Sequence, residues 1–211
     1  MLCKVCSKST TDFVAGHNVI RYHHCPDCQF IFMDEAFRLP PDQEKARYLL
    51  HGNTLSNKGY VEMLEGFISG AVLPYKTAGK ALDYGCGPEP VLAELLRRKG
   101  FAAHAYDLYF APGPVLESKM YDVITATEVL EHLKEPIAIL EMLKGFLKPD
   151  GILAVMTLLH ANDIEAFKKW WYPTDPTHIA FFSERTLGFM AQKAGLRVLM
   201  CDGKRTCVMG R

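Results

Sequence analysis

The sequence lacks an excess of either charge, because its 24 lysine and arginine residues balance 24 aspartate and glutamate residues. Proteins that bind nucleic acid over a broad surface are usually basic, so this balance disfavours that class but allows a local basic patch. There is also no run of about 18 apolar residues, the length that spans a membrane. The first residues form no apolar signal region, and we therefore expect a cytoplasmic protein with no membrane partner.

Internal repeats and low-complexity tracts are absent as well. The 211 residues suffice for one ordinary domain and a small additional module. Apolar residues make up 49% of the chain and charged residues 23%, which is typical of globular proteins. The composition therefore predicts a soluble globular fold.

Four of the seven cysteines lie in two Cys-x2-Cys pairs, Cys3 with Cys6 and Cys25 with Cys28. Eighteen residues separate the pairs, a spacing found in zinc sites that have four thiolate ligands. The segment between them offers little apolar core, and so small a module needs a staple to fold. The pattern predicts a structural zinc ribbon whose closed ligand set takes no part in catalysis; the alternative is four unligated cysteines.

From Lys80 onward, predicted strands alternate with predicted helices, which indicates an α/β fold with a doubly wound, mostly parallel sheet. The predicted strands are residues 80–84, 101–106, 121–127 and 152–158, and the predicted helices are 90–98, 136–147 and 184–194. Residues 196–201 and 206–209 flank Asp202 and Gly203, which predicts an antiparallel C-terminal hairpin. Residues 42–75 predict two helical segments broken near Gly52 and Asn53.

A glycine-containing turn, Asp83-Tyr84-Gly85-Cys86-Gly87, follows the first of these strands. Glycine lets the backbone turn sharply and approach a ligand closely, and the next helix offers unpaired N–H groups at its N-terminus. Asp107 ends the second strand, twenty residues after Gly87, where a carboxylate accepts hydrogen bonds from ribose hydroxyls. Pro90 occupies the place of the third glycine of a dinucleotide site, which disfavours NAD and FAD.

These motifs resemble those of class I S-adenosylmethionine (SAM)-dependent methyltransferases. The likeness covers most of the chain from Tyr48 onward. Three further stretches are similar to that family: Tyr121-Asp122-Val123-Ile124, Glu128-Val129-Leu130-Glu131-His132-Leu133 and Leu147-Lys148-Pro149-Asp150-Gly151. The resemblance implies a Rossmann-like sheet that binds SAM. It implies that the Gly85–Gly87 loop holds the methionine moiety and Asp107 the ribose, and that the backbone around Thr127 and Glu128 meets the cofactor's amino group. The predicted cofactor-binding residues are Tyr48, Tyr60, Asp83, Gly85, Cys86, Gly87, Asp107, Leu108, Thr127 and Glu128.

One departure from the family pattern concerns the adenine side of the site. Only thirteen residues separate Asp107 from Tyr121, where the family has a helix, a strand and an acid that contacts adenine. We therefore expect an abbreviated third strand and adenine packing against Leu108. Tyr48 and Tyr60 lie where the family carries a lid over the cofactor; ordinary helix packing is the alternative. The predicted parts are a zinc ribbon (1–38), a helical linker and cofactor lid (39–76) and a SAM-dependent methyltransferase domain (77–211).

Three polar residues after the third strand mark a candidate acceptor site. Glu128, Glu131 and His132 follow a spacing that places them on one face of a helix. The arrangement is similar to metal-dependent O-methyltransferases of ubiquinone biosynthesis and to small-RNA 3′-terminal 2′-O-methyltransferases, which implies a divalent metal with His160 or His178 as a fourth ligand. The alternative is that Glu128 touches the cofactor, Glu131 is solvated and His132 packs or caps.

The segment from Trp170 to His178 is rich in aromatic residues, which wall pockets and exclude water. A similar Asp-Pro-Thr-His stretch recurs near the substrate side of related methyltransferases. His178 is therefore a candidate general base toward a hydroxyl or amine, with a structural histidine as the alternative. The predicted catalytic residues are His178, Glu131 and His132.

We accordingly expect transfer of a methyl group from SAM to an O, N or C nucleophile of a small-molecule acceptor by in-line displacement. The first alternative is an RNA methyltransferase whose ribbon binds nucleic acid through a basic patch of Lys4, Lys8, His17, Arg21, His23 and His24. The second is a non-catalytic SAM-binding protein that uses the ribbon for protein contacts, which the short segment after Asp107 favours.

Overall fold

The structure is a computed structural model that describes residues 1–16, 19–113 and 120–211. His17, a member of the predicted basic patch, lies outside the described residues. The strands are β1 (Thr11–Ala15), β2 (Ile20–His24), β3 (Ile31–Met33), β4 (Gly79–Tyr84), β5 (Phe101–Tyr106), β6 (Tyr121–Thr127), β7 (Leu147–Met156), β8 (Ala180–Phe181), β9 (Arg197–Cys201) and β10 (Thr206–Gly210). The helices are α1 (Pro41–Tyr48), α2 (Lys58–Phe67), α3 (Val91–Arg98), α4 (Pro136–Phe146), α5 (Ile164–Lys169) and α6 (Glu184–Lys193).

Within the described residues, six strands form the main sheet in the order β5-β4-β6-β7-β10-β9. The pairs from β5 to β7 are parallel, and β10 runs antiparallel to both of its neighbours. This topology confirms the predicted Rossmann-like α/β sheet with an antiparallel C-terminal hairpin. β7 begins earlier than the predicted start at Ile152, because Leu147 already pairs with Tyr121 of β6.

Both faces of the main sheet are covered, as expected for strands with continuous apolar runs. Leu82 and Leu153 pack in one core with residues of α4 and α6. Ala81 and Ala154, their neighbours along the strands, pack in a second core with residues of α2 and α3. The parallel strands are therefore buried on both sides, and ligands reach the sheet only at its strand ends.

The main sheet ends at β5, in agreement with the short spacing between Asp107 and Tyr121. The described residues of that segment form no further strand of the sheet. Instead, the backbones of Asp107 and Ala111 form an isolated antiparallel bridge with two N–H···O bonds of 3.2 Å. The turn between them carries Tyr109 and Phe110.

A second, smaller sheet has the strand order β1-β2-β3-β8 and is antiparallel. β3 pairs with β2 on one side and with β8 on the other, which places Phe181 opposite Ile31. β8 has only two residues, too few for a periodic pattern to reveal it. The small sheet therefore joins residues of the N-terminal segment to a strand that lies far along the chain.

Aromatic packing reinforces this junction. The ring of Phe181 lies 5.9 Å from that of Tyr22 in β2 and 4.9 Å from that of Phe167 in α5, measured between centroids. The rings of Tyr22 and Phe167 are 5.3 Å apart. All three side chains are buried and meet edge to face, the geometry that aromatic pairs favour.

Two helices precede the main sheet, as the sequence predicts. α2 buries Leu64 and Phe67, and the side chain of Asn57 caps it by accepting a hydrogen bond from the Tyr60 N–H. α1 buries none of its residues, so polar contacts hold it. No helix in the described part of the chain is long and apolar enough to pass through a bilayer.

Phe181→Ala tests the contribution of the aromatic cluster. Truncating a fully buried phenylalanine typically costs about 3–5 kcal/mol, because apolar contacts are lost and a cavity remains. We expect a decrease of that size in the free energy of unfolding, measured by urea denaturation. The control is Leu50→Ala, because Leu50 is 73% exposed and its loss should change stability by less than about 0.5 kcal/mol. A Phe181→Ala protein as stable as the wild type would contradict this role.

Candidate active site

A cavity of about 900 Å³ lies at the edge of the main sheet where β4, β5 and β6 end. It contains most of the residues predicted from sequence: Tyr48, Tyr60, Gly85, Cys86, Gly87, Asp107, Leu108, Thr127, Glu128, His132 and His178. Asp83 and Glu131 are buried and do not line it. The predicted cofactor and acceptor residues are thus brought together in one cavity.

The glycine turn forms one wall of this cavity. Gly85 and Gly87 have φ angles of +76° and +70°, which glycine adopts without strain. A Cβ atom on Gly85 would lie 2.4 Å from Cγ2 of Val129, so only glycine fits there. The N–H of Gly85 donates to the carbonyl of Tyr106 at 2.7 Å, which ties the turn to the end of β5.

Asp107 joins the glycine turn to the turn that follows β5. Its Oδ2 accepts from the Gly87 N–H at 3.0 Å, and its Oδ1 accepts from the N–H groups of Tyr109 and Phe110 at 2.8 and 3.1 Å. A carboxylate has about four lone-pair positions, so it retains capacity for a ligand hydroxyl. The arrangement fits the predicted contact with ribose.

Asp83 lies behind the turn. Its Oδ2 accepts from the Ala93 N–H at 3.2 Å, and its Oδ1 accepts from the Thr125 hydroxyl at 3.4 Å. Burial raises the pKa of Asp83 to about 7. In this position Asp83 joins β4 to α3 and β6, and it supports the loop without facing the cavity.

Helix α1 contributes Glu44, Arg47 and Tyr48 to the lining of the cavity. Glu44 Oε1 accepts from the Tyr48 hydroxyl at 2.7 Å, and Glu44 Oε2 accepts from the Tyr109 hydroxyl at 2.8 Å. This carboxylate therefore joins α1 to the turn after Asp107. Sequence reasoning missed Glu44 and Tyr109, because a contact between residues 65 positions apart leaves no local pattern.

A second polar contact joins the end of α1 to the aromatic segment. Asp175 Oδ2 accepts from Arg47 Nη2 at 2.9 Å, from Arg47 Nε at 3.1 Å and from His51 Nε2 at 3.2 Å. Asp175 Oδ1 accepts from the Thr177 hydroxyl and N–H. Burial acts to raise the pKa of Asp175, but the hydrogen bonds from His51, Arg47 and Thr177 outweigh it and hold that pKa below its usual range.

The segment after β6 differs from the predicted helix that begins at Glu128. Glu128 has a left-handed backbone, with φ of +52°, and its N–H donates to the Met156 carbonyl at 2.8 Å. A short 3-10 helix follows at Leu130–His132. Because Glu128 is tied to β7, the three residues do not share one helical face: Glu131 is buried, whereas His132 lines the cavity.

Two acidic side chains meet at the hydroxyl of Tyr172. The hydroxyl donates to Glu131 Oε1 at 2.5 Å and lies 3.3 Å from Glu128 Oε2. Burial, together with the neighbouring Glu131, raises the pKa of Glu128 to about 8, and burial also raises the pKa of Glu131. Glu131 Oε2 is buried and has no hydrogen-bond partner among the described residues.

The imidazoles of His132 and His178 lie close together in the cavity. His132 Nδ1 donates to the Thr177 carbonyl at 2.9 Å, and His178 Nδ1 donates to the Tyr172 carbonyl at 2.8 Å. Burial lowers the pKa of both rings, that of His178 to about 4, so each Nε2 keeps a free lone pair. The ring centroids are 4.9 Å apart.

Ligand atoms of Glu131, His132 and His178 lie within 4.8 Å of one another. The structure thus brings together Glu131 and His132, two of the three predicted metal ligands, and His178, one of the two predicted fourth ligands. His160, the other predicted fourth ligand, does not line the cavity; its Nδ1 accepts from the Asn162 N–H at 3.0 Å.

The four predicted ribbon cysteines form a cluster. The Sγ atoms of Cys3 and Cys28 are 3.4 Å apart and those of Cys6 and Cys25 are 3.3 Å apart. All four Sγ atoms lie within 4.8 Å of one another. Tetrahedral coordination by thiolates at about 2.3 Å requires sulfur–sulfur separations of about 3.8 Å. The separations in the cluster run from 3.3 Å to no more than 4.8 Å, a range that includes this value.

Comparison with known proteins identifies the family. A family model described as a methyltransferase domain matches residues 61–200, more than half of the chain. The chain belongs to this family of SAM-dependent methyltransferases.

Two sequence relatives of this methyltransferase-family chain carry the name ubiquinone biosynthesis O-methyltransferase. The protein of Histophilus somni (strain 2336) is 28% identical over 122 residues, which cover 44% of this chain and 49% of the relative. The protein of Salmonella paratyphi A (strain ATCC 9150 / SARB42) is 32% identical over 103 residues, which cover 37% of this chain and 42% of the relative. The matches thus span about half of these relatives or less.

Solved structures share the fold of this methyltransferase-family chain. The mitomycin 7-O-methyltransferase MmcR aligns with a TM-score of 0.57 at 20% identity and covers 72% of this chain and 55% of its own. An O-methyltransferase from neocarzinostatin biosynthesis was solved with SAM and 2-hydroxy-5-methyl naphthoic acid. It aligns with a TM-score of 0.57 at 15% identity, and the alignment covers 80% of this chain and 60% of the other. Magnesium protoporphyrin IX methyltransferase from Synechocystis PCC 6803 aligns with a TM-score of 0.54 at 14% identity, and the alignment covers 83% of this chain and 95% of the other.

Gly85→Ala tests the close packing of the glycine turn. The new methyl group would meet Val129 and would also strain a left-handed backbone. We expect SAM binding to weaken at least about 10-fold, which corresponds to about 1.4 kcal/mol, as measured by titration calorimetry. Gly100→Ala is the matched control, because Gly100 also has a left-handed φ of +95° but has open space around its Cβ position. Unchanged SAM affinity in Gly85→Ala would contradict the role of the turn.

Proposed function

We propose that this chain transfers the methyl group of SAM to a hydroxyl oxygen of a small-molecule acceptor. The observation that carries the proposal is that one cavity contains both the glycine turn with Asp107 and two neutral histidines, His132 and His178. The names of the relatives from H. somni and S. paratyphi A support oxygen as the acceptor atom.

The cofactor would be held by the Gly85–Gly87 loop and by Asp107. When bound, SAM supplies a methyl group that its sulfonium already activates. The protein therefore has to align the acceptor and exclude water. Tyr48 on α1 and Tyr60 on α2 line the cavity and would cover the cofactor.

The histidines would serve the acceptor. Because each Nδ1–H is held by a backbone carbonyl, each ring is fixed in orientation and presents Nε2 as a hydrogen-bond acceptor. Nε2 of His178 would take the proton of the acceptor hydroxyl, and His132 would orient that hydroxyl. Tyr172, which packs against His178 with ring centroids 4.2 Å apart, would shield this end of the cavity from water.

The same residues also fit a divalent cation, which is a second candidate for the acceptor side. Metal-ligating histidines commonly donate their other N–H to a carbonyl, as His132 and His178 do. The unpartnered Oε2 of Glu131 would supply the third ligand atom. A cation held there would lower the pKa of an acceptor hydroxyl as a Lewis acid.

Contacts within the ribbon disfavour the RNA alternative. Three residues of the predicted basic patch contact acids: Lys4 contacts Glu35 and Glu135, Arg21 contacts Asp34, and His23 contacts Asp12. Because acids lie beside three of the six patch residues, the described part of the ribbon has less free basic surface to attract RNA than the sequence alone indicates. We therefore favour a small-molecule acceptor.

SAM binding followed by turnover tests the proposal. We expect micromolar SAM binding in titration calorimetry, and Asp107→Ala should weaken it about 10-fold to 100-fold, because a charged hydrogen bond is lost. Glu62→Ala, at an exposed position of α2, is the control. Methyl transfer from labelled SAM to a panel of catechols and phenols should then be detected by mass spectrometry. A folded protein that binds no SAM would overturn the proposal.

The same assay separates the base from the metal. If His178 acts alone, a chelator leaves turnover unchanged; if a cation is bound, a chelator abolishes turnover and Mg²⁺ or Mn²⁺ restores it. Because chelation can also remove a zinc ion from the ribbon, zinc content and SAM affinity are measured after treatment. Loss of turnover with both retained assigns the effect to the acceptor site.

We infer that Cys3, Cys6, Cys25 and Cys28 hold one structural Zn²⁺. The spacing of their sulfur atoms supports this inference, and so does a ribbon with little core of its own. We expect about one zinc per chain by elemental mass spectrometry. Cys28→Ser should lose the metal and lower the unfolding temperature, whereas Cys201→Ser, outside the cluster, should retain the metal. A zinc-free wild-type protein with unchanged stability would refute the site.

A further inference from the structure

Arg205 supplies a positive charge to the acceptor side of the cavity. It lies in the turn between β9 and β10, at the edge of the sheet where β7 ends, and it lines the cavity together with Glu128 and Tyr172. Its side chain is exposed and forms no hydrogen bond or ion pair among the residues that the structure describes. No assigned role accounts for this cation.

The backbone of Arg205 is held firmly on both sides. Asp202 Oδ1 accepts from the N–H groups of Lys204, Arg205 and Thr206 at 2.8, 2.8 and 2.9 Å. The carbonyl of Arg205 accepts from the Thr157 N–H at 2.9 Å, next to the end of β7. The guanidinium therefore extends from a fixed turn, which lowers the ordering cost of binding an anion.

Glu128 is the carboxyl group that interacts with Arg205 electrostatically, but it does not pair with it. No ion pair joins the two side chains, and Glu128 Oε2 instead lies 3.3 Å from the Tyr172 hydroxyl. Glu131, the second acid here, is buried behind Tyr172 and does not line the cavity. The guanidinium thus remains available to a ligand.

An exposed aromatic residue lines the same cavity as Arg205. Trp171 lines the cavity and is 65% exposed, which is unusual for so large an apolar side chain. Its ring stands perpendicular to that of Tyr172, with centroids 5.5 Å apart, and Tyr172 in turn contacts His178. An aromatic surface, a cation and a proton acceptor therefore line one cavity.

We propose that Arg205 binds a carboxylate of the methyl acceptor, so that the site selects hydroxylated aromatic acids over their neutral analogues. This inference rests on the proposed function. The planar guanidinium pairs with a carboxylate through two parallel N–H···O bonds. Trp171 and Tyr172 would flank the ring, and His178 would face its hydroxyl. We assign a carboxylate and not a phosphate, because one guanidinium matches a single charge and the adjacent Lys204 does not line the cavity.

Equilibrium binding in the presence of S-adenosylhomocysteine, which prevents turnover, tests this assignment. The probes are matched pairs: 3,4-dihydroxybenzoate with catechol, and hydroxynaphthoates with the corresponding naphthols. We expect wild-type protein to bind the acids about 10-fold to 100-fold more tightly than the neutral partners. Arg205→Gln should remove this preference, and Arg205→Lys should retain part of it. Arg197→Gln, an exposed arginine on β9 outside the cavity, should leave it intact.

Affinity for S-adenosylhomocysteine is the control for folding and for the proposed function. If neither the wild-type protein nor any variant binds S-adenosylhomocysteine, the methyltransferase proposal fails. If it binds normally but wild-type protein shows no acid preference, or Arg205→Gln keeps the preference, only the role of Arg205 is refuted. Failure of every acid probe to bind counts against the role as well.

Discussion

The parallel register of β4 with β5 and β6 is the constraint on which the site depends. Tyr84 pairs with Tyr106, and Asp83 pairs with Thr125, so the carboxyl ends of the three strands meet at one edge. The turn at Gly85 and the carboxylate of Asp107 meet there as a consequence. A shift of one residue in the pairing would turn every side chain of the shifted strand to the opposite face and separate these groups.

Backbone hydrogen bonds also join the small sheet to the part of the chain that carries His178 and Glu131. The N–H of Met33 in β3 donates to the Ile179 carbonyl at 2.9 Å, and the N–H of Ile179 donates to the Glu131 carbonyl at 2.8 Å. Ile179 therefore connects β3 of the small sheet to the backbone of Glu131 through two hydrogen bonds, and it follows His178 directly in the chain. The cysteine cluster can therefore support the acceptor wall without touching it.

Features that are unfavourable for the free energy of folding are concentrated around Tyr172. Glu128 has a strained left-handed backbone, and its half-buried carboxyl group lies at the Tyr172 hydroxyl together with the fully buried carboxyl group of Glu131, although burial disfavours their charged forms. Two imidazoles are also kept neutral nearby. Packing alone would favour apolar residues at these positions, and strain of this kind gathers at functional sites. The features of this region fit a role in chemistry better than a role in stability.

Local patterns in the sequence predict those parts of the structure that depend on neighbouring residues. The cysteine pairs, the glycine turn, Asp107 at a strand end and the alternation of strands and helices all follow from spacing and backbone preference. Which distant groups meet follows from the folded arrangement, because such contacts depend on how whole elements pack. Glu44 contacts Tyr109 and Arg47 contacts Asp175, although these pairs are 65 and 128 residues apart. The left-handed Glu128 and the pairing of β8 with β3 have the same origin, since a long-range hydrogen bond outweighed local preference at each.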